Sequence, residues 1–473
     1  MSEEISHNCG LCVAHTLHDA YSFIGSLQHR GREAVGIAAI GDTIDVIKWK
    51  GTVSMFDITD LHKIFPSDKN YHTYMAHVRY ATRGRKDEIL IDAHPHTLGG
   101  YSERKNDHMF ISDCDMVAVH NGQVNSEYLQ EIDASILNTG CDTEALLHLI
   151  SKKGEQDILK EIPGAFTLAF ADKGREGIIV LRDKLGMRPG VLGWKDGKYC
   201  IASEDIALRK NGGEYVEELD PGCAYYLFPN GSYRKEEIEQ VKPKHCFFEW
   251  NYLSDLDSIL NGINVRRIRE SLGEVLAEEF NPEDADYVTF LPRCPEVAAR
   301  SYSRHTRIPL KHIFYKMRKE RSFQGSTSQD RKNSIKGNLN LLPEIDEIST
   351  REFLEDKTVI IIDDSTIRGT NSPRARELLY EKAKVKKAYL VNYTPQIGII
   401  GSDKIPRGCT FGVDMSPDDN FIARGRTLEE ISEEIGMPIR YISQEGMFKA
   451  FEKSGISSNN LCTYCIGGKH PFE

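Results

Sequence analysis

The order of apolar and polar positions divides the chain into two textures. Through the first half, short β-like runs at Val35–Ile40, Thr43–Ile47, Met116–Val119 and Ala165–Phe170 are broken by Gly, Asn and Asp. Such runs predict strands of antiparallel sheets. Apolar residues spaced three and four apart predict helices at about 127–136 and 143–152. Near Val241-Lys242-Pro243 the texture changes, and helical periods at about 265–280, 373–384 and 427–435 then alternate with strand runs at Tyr287–Leu291, Val359–Ile362 and Lys387–Val391. That alternation predicts a parallel sheet built from βα units. No internal repeat or low-complexity tract interrupts either half.

Composition narrows the class. At 473 residues the chain exceeds one ordinary core, and two large domains are expected. Hydrophobic residues make up 40% and charged residues 28%, a soluble balance, and no apolar run approaches the roughly 18 residues that span a bilayer. A formal net charge of -11 argues against a nucleic-acid partner, whose phosphates need a basic face. The opening residues, Met1 to Asn8, carry neither a basic stretch nor an apolar core of the secretory kind, so a cytoplasmic location is expected. Eleven cysteines are too few for a disulfide scaffold at this length, which leaves thiols, nucleophiles or metal ligands.

The most informative stretch is Val359-Ile360-Ile361-Ile362-Asp363-Asp364-Ser365-Thr366-Ile367-Arg368-Gly369-Thr370. A continuous Val/Ile run reads as a buried parallel strand, and ligands of open α/β sheets bind beyond the carboxyl ends of such strands. Asp363 and Asp364 suit vicinal ribose hydroxyls, and the backbone N–H groups of Ser365 to Thr370 suit a phosphate ahead of the helix starting near Pro373. The bland alternative is a strand ending in a solvated acidic turn.

Near the other end, Cys9-Gly10 precedes a β-like stretch, and a buried structural cysteine is its simplest reading. Polar clusters elsewhere in the first half argue for chemistry: His29-Arg30-Gly31, His77-Val78-Arg79-Tyr80, His120-Asn121-Gly122 and Asp142-Thr143-Glu144. In order and spacing, these segments resemble the glutaminase domain of the class II, N-terminal-nucleophile amidotransferases. The resemblance implies an αββα sandwich over 9–242, with residues 1–8 a propeptide whose removal frees the α-amino group of Cys9 to act as base for its own thiol. An α-amino group with a pKa near ~8 suits that task. By the same resemblance Asn121 and the N–H of Gly122 form the oxyanion hole, Arg79 holds the glutamine α-carboxylate and Asp142 its α-ammonium.

The second half, 243–473, resembles the phosphoribosyltransferase domain of the amidophosphoribosyltransferase family, through Phe248-Glu249-Trp250, Gly262-Ile263-Asn264-Val265, the acidic motif and Ser443-Gln444-Glu445-Gly446. This implies that ammonia made at Cys9 travels internally to displace pyrophosphate from phosphoribosyl pyrophosphate, giving 5-phosphoribosylamine, the first step of purine synthesis. Asp363 and Asp364 would meet a Mg²⁺ carried by the substrate, and Arg331 and Lys336 the pyrophosphate. Purine nucleotides as inhibitors and a homodimer or homotetramer are further family expectations. Cys462-Thr463-Tyr464-Cys465, with Cys246 and Cys409, falls where the iron–sulfur branch of the family places its ligands; four thiolates suit a [4Fe–4S] cluster or tetrahedral zinc.

Two departures touch the transferase half. The family's Val-Pro-Asp-Ser-Gly loop is here Leu291-Pro292-Arg293-Cys294-Pro295, and a lysine of the family is replaced by Asn338. Proline removes a backbone donor and the lost lysine removes a cation beside the leaving pyrophosphate. A divergent paralogue that retains the glutaminase or ribose-phosphate binding, and acts as a regulatory or binding protein, is therefore an open alternative. A different class II amidotransferase is disfavoured, since its acceptor domain would lack the Ile-Ile-Asp-Asp-Ser run.

Overall fold

The computed structural model describes residues 9–80, 89–292, 294–316, 339–342, 353–370, 372–413 and 415–473. In the first half, strands β1 (Gly10–Ala14), β2 (Ala34–Ile40), β3 (Ile44–Lys50), β4 (Thr73–Arg79), β5 (His96–Arg104), β6 (His108–Val124), β7 (Gly164–Asp172), β8 (Ile178–Arg182), β9 (Val191–Lys195), β10 (Lys198–Ala202), β11 (Glu214–Glu218), β12 (Cys223–Leu227) and β13 (Tyr233–Glu237) pair in the order β11-β9-β10-β1-β4-β2-β3-β6-β7-β8-β12-β13, with β5 on β6. Strand β6 belongs to two leaves: Met109 to Ile111 pair with β3, whereas Met116 to Val124 pair with β7. All of these pairings are antiparallel.

Alternation along the strands makes the layers. Leu11 and Val13 of β1 join Val119 of β6 and Ala169 of β7 in an inner core between the leaves. Their neighbours Cys12 and Ala14 face outward onto Phe23 and Ile24 of helix α1 (Leu17–Ser26). On the opposite leaf Phe166, Leu168 and Phe170 face outward onto Leu146 and Ile150 of helix α2 (Asp142–Lys153). Successive side chains of a strand point to opposite faces, so these three cores make a helix–sheet–sheet–helix sandwich. The helix expected at 127–136 is two short 3₁₀ turns, Ser126–Leu129 and Ala134–Ile136. Asp133 caps the second turn by accepting from the Ser135 N–H at 2.9 Å, and this local bond competes with helix propagation.

In the second half β14 (Tyr287–Phe290), β15 (Thr358–Asp363), β16 (Lys387–Asn392) and β17 (Ile439–Tyr441) form a parallel sheet in that order. Ile360 and Ile362 of β15 pack into one core and Val359 and Ile361 into another, which is why the strand reads as an unbroken apolar run. Helix α3 (Val265–Glu279) covers one face together with α4 (Glu296–Thr306) and the C-terminal helix α5 (Gln444–Ser454). A short parallel bridge pairs His245 with Leu461 and Cys246 with Cys462, returning the C-terminal segment to the junction between the halves.

Candidate active sites

Cys9 lies just before β1 and is fully buried. Its carbonyl oxygen accepts from Arg30 Nε at 2.9 Å. Burial pushes the Cys9 thiol up to about 12, against the pull of a backbone bond with Tyr80 and the cations of Arg79, Arg30 and Arg188. The thiol is therefore protonated at neutral pH and needs a base before it can attack.

The facing leaf carries the groups expected to oppose it. His77 of β4 reaches across to the carbonyl of His120 in β6, 3.0 Å away. Asn121, next in β6, is wholly buried, and neither amide atom of its side chain has a hydrogen-bond partner among the described residues. A buried amide left unbonded costs free energy unless a ligand supplies the partner. At Gly122 a Cβ would stand 1.9 Å from the Ala165 carbonyl oxygen, so only glycine lets β6 approach β7 here. Asp142 opens α2; its Oδ2 accepts from the Val124 N–H at 2.8 Å and its Oδ1 stands 3.5 Å from His120 Nδ1. Arg79 ends β4, almost wholly buried, with Nη1 donating to Glu33 Oε2 at 2.9 Å and Nη2 3.6 Å from Asp92 Oδ2.

A buried charge network ties this site to the second half. Arg30 donates to Glu204 Oε1 at 2.6 Å and to both carboxylate oxygens of Glu249 at 3.1 Å. Arg188 donates to Glu249 Oε1 at 3.0 Å and to the carbonyl of Phe411 at 2.5 Å. Glu204 also accepts from Ser258 Oγ at 2.6 Å and from the Asp255 N–H at 2.8 Å. His29 and Arg30 hold the Glu204 carboxyl far below the usual carboxylate range despite its burial. Nothing local in the sequence assigns a role to Arg30, Glu204 or Glu249; only folding joins them.

The acidic motif is not a solvated turn. Asp363 is 6% and Asp364 9% exposed. Burial raises both carboxyls, Asp363 strongly, with each acid acting on the other and Lys316 pulling both down. Ser365 Oγ donates to Asp364 Oδ2 at 2.9 Å and Thr366 Oγ1 to Asn392 Oδ1 at 2.8 Å, which fixes the start of the following loop. Arg368 is ion-paired with Asp419. Gly369 has φ +69°, and a Cβ there would meet Ile422 at 2.6 Å. Beside this loop, the Cys294 thiol lies 3.5 Å from the Asn251 carbonyl and 3.4 Å from the Tyr393 hydroxyl, and Pro295 occupies the N-cap of α4. Proline is tolerated there because the first N–H groups of a helix have no partner within it.

Cys246, Cys409, Cys462 and Cys465 line one cavity at the domain junction, beside Arg188 and Phe411. Burial, reinforced by the three other thiols, raises the Cys465 thiol well above its ordinary value. These residues fit a group that draws charge off four thiolates. Four thiolates suit a [4Fe–4S] cluster or tetrahedral zinc.

Met1 to Asn8, Arg293, Arg331, Lys336 and Asn338 lie outside the described residues.

An antiparallel αββα sandwich with a buried cysteine at the head of its first strand, joined to a parallel sheet with an acidic strand end, defines a glutamine amidotransferase linked to a phosphoribosyltransferase fold. The sequence family described as glutamine amidotransferase domain matches residues 97–247. The amidophosphoribosyltransferase of Bacillus subtilis (strain 168) is 30% identical over 96% of this chain and 91% of its own length, and that of Archaeoglobus fulgidus is 30% identical over 96% and 94%. A solved glutamine phosphoribosylpyrophosphate (PRPP) amidotransferase from B. subtilis, complexed with ADP and GMP, superposes with a TM-score of 0.78 at 28% identity, covering 98% of this chain and 97% of that one. A second solved structure, of the allosteric regulatory enzyme of purine biosynthesis, gives the same TM-score of 0.78 over 98% of this chain and 96% of that one. The chain belongs to the amidophosphoribosyltransferase family.

Proposed function

We propose that the protein hydrolyses glutamine at Cys9 and passes the ammonia to phosphoribosyl pyrophosphate, displacing pyrophosphate to give 5-phosphoribosylamine, the entry to purine synthesis. The observation that supports this reading best is Arg30, which touches the Cys9 carbonyl and Glu249 of the second half at once and so ties the segment of the nucleophile to the second half.

Removal of residues 1–8 frees the α-amino group of Cys9, which takes the thiol proton as the sulfur attacks the amide carbon. Asn121 and the Gly122 N–H receive the developing oxyanion, each such donor being worth about 3 kcal/mol. Arg79 binds the α-carboxylate of glutamine in competition with Glu33, and Asp142 binds the α-ammonium. In the second half Asp363 and Asp364 hold the ribose hydroxyls and the Mg²⁺ that arrives with the substrate, Ser365 to Thr370 cradle the 5′-phosphate, and Arg331 and Lys336 serve the pyrophosphate. Cys246, Cys409, Cys462 and Cys465 hold a [4Fe–4S] cluster whose role is to staple the C-terminal segment to the junction. The glutaminase unit is 9–242 and the transferase unit 243–473. Nucleotide inhibitors, a homo-oligomer and a cytoplasmic location complete the reading.

The altered loop around Cys294 and Pro295 favours a second reading, a paralogue that binds ribose phosphate without turnover. One assay separates the two. Pyrophosphate release from phosphoribosyl pyrophosphate with added ammonium supports the enzyme, and tight binding with no release supports the paralogue. Mass spectrometry tests the glutaminase half independently, since full glutamine hydrolysis by a chain still carrying Met1 or Ser2 would sink the N-terminal-nucleophile assignment.

A further inference from the structure

His94 and His96 flank Pro95 at the entry to β5, and Cys141 directly precedes α2. The sequence separates them by more than forty residues, yet one ligand atom from each lies within 4.8 Å of the other two. All three are buried, His94 completely and the others 2% exposed. The two imidazoles meet edge to face with centroids 4.6 Å apart, and the His94 ring stacks on His77 at 4.1 Å. The Thr143 hydroxyl sits 2.9 Å from His94 Nε2 and 3.0 Å from His120 Nδ1, so the His94 ring is oriented from behind. Such outer contacts are what fix an imidazole for metal ligation.

We propose that His94, His96 and Cys141 form a binding site for a zinc-class divalent cation, through which the cation inhibits glutamine hydrolysis. Two imidazoles and a thiolate are a donor set for Zn²⁺, and bonds of about 2.0–2.3 Å place tetrahedral ligands about 3.3–3.8 Å apart. The three donor atoms, all within 4.8 Å of one another, therefore close by about 1.5 Å or less on binding. The Cys141 proton leaves to solvent as the metal–sulfur bond forms. Asp92, Asp142 and Glu144 offset the nearby cations of Lys48 and Arg79, so the pocket does not repel a dication outright. Asp142 Oδ1 stands 3.5 Å from the Cys141 sulfur, so a dication on that sulfur lies beside the carboxylate. A metal that draws this carboxylate takes it away from the α-ammonium of glutamine. The inhibitory role rests on the assignment of Asp142 to the glutamine pocket; metal uptake does not.

Co²⁺ titrated into the full chain, with its four-cysteine group in place, tests the site. One further equivalent should bind, with tetrahedral d–d absorption and a single-thiolate charge-transfer band. His96→Ala should weaken uptake at least about tenfold, as even outer-contact losses cost 10–100-fold, and Cys141→Ser should remove the thiolate band. Absence of that equivalent in the unaltered chain overturns the proposal whether or not the variants fold, and so does uptake identical in all three proteins. Zn²⁺ should slow glutamine hydrolysis in the unaltered chain and spare His96→Ala, while ammonium-dependent turnover stays unchanged in both. Co²⁺ uptake without any slowing by Zn²⁺ would overturn the inhibitory role and leave the catalytic reading of Cys9 standing.

Discussion

Arg30 and Glu249 are 219 residues apart in sequence, yet the guanidinium of one clasps both carboxylate oxygens of the other at 3.1 Å in a fully buried contact. Arg30 also donates to the carbonyl of Cys9, so a shift of the second half against the first acts directly on the backbone of the nucleophile.

Glu249→Gln should lower stability by about 3–5 kcal/mol, because it leaves Arg30 and Arg188 short of a buried counter-charge. Urea unfolding measures the loss. If the pair also couples the sites, the variant releases more ammonia to solvent per phosphoribosylamine formed, which the ratio of glutamate to pyrophosphate reports.

Asn121→Ala should reduce glutamine-dependent kcat by about 10²–10³ with little change in KM, as expected when a donor acts only on the developing oxyanion. Activity with added ammonium should survive, since the change does not touch the second half. Loss of both activities would mean that Asn121 holds the sandwich together instead.

The raised carboxyls of Asp363 and Asp364 make opposite predictions for binding and stability. Ionised acids are the form that meets Mg²⁺ and ribose, so affinity for Mg²⁺–phosphoribosyl pyrophosphate should fall as pH drops through the raised range; calorimetry between pH 8 and pH 5 follows it. For folding, groups with raised values stabilise most below their unfolded pKa of about 3.9, and that contribution is lost as pH rises through the folded values. Asp363→Asn should therefore raise Tm at neutral pH while reducing the pH dependence of binding to what Asp364 contributes.

With the proposed cluster at the four cysteines, the chain should be brown, and Cys409→Ser should lose colour, iron and sulfide together, with the C-terminal segment more readily cleaved by protease. A colourless wild-type chain with one equivalent of zinc at these cysteines would replace the cluster.

Much of this was legible in the chain. The apolar run of β15 betrayed a strand buried on both faces, with two aspartates at its carboxyl end. The polar clusters at Cys9, Arg79, Asn121 and Asp142 lie just before β1, at the end of β4, within β6 and at the start of α2. Local spacing failed at 127–136, because the Asp133 side chain, bonding to the backbone two residues on, outweighed an apolar periodicity.

The sequence by itself determined the antiparallel texture of the first half and the βα alternation of the second, which residues are chemically able to act, and where four cysteines stand along the chain. Those properties are local, carried by the periods of two and 3.6 and by side-chain type. Tertiary structure alone decided that Arg30 reaches Glu204 and Glu249, that His94 and His96 meet Cys141, and that the cysteines share one cavity. Contacts between residues distant in sequence depend on how sheets stack and cross, and no local pattern encodes that. Burial likewise set the protonation of Cys9, Asp363 and Asp364, because desolvation is a property of the packed interior and not of the residue.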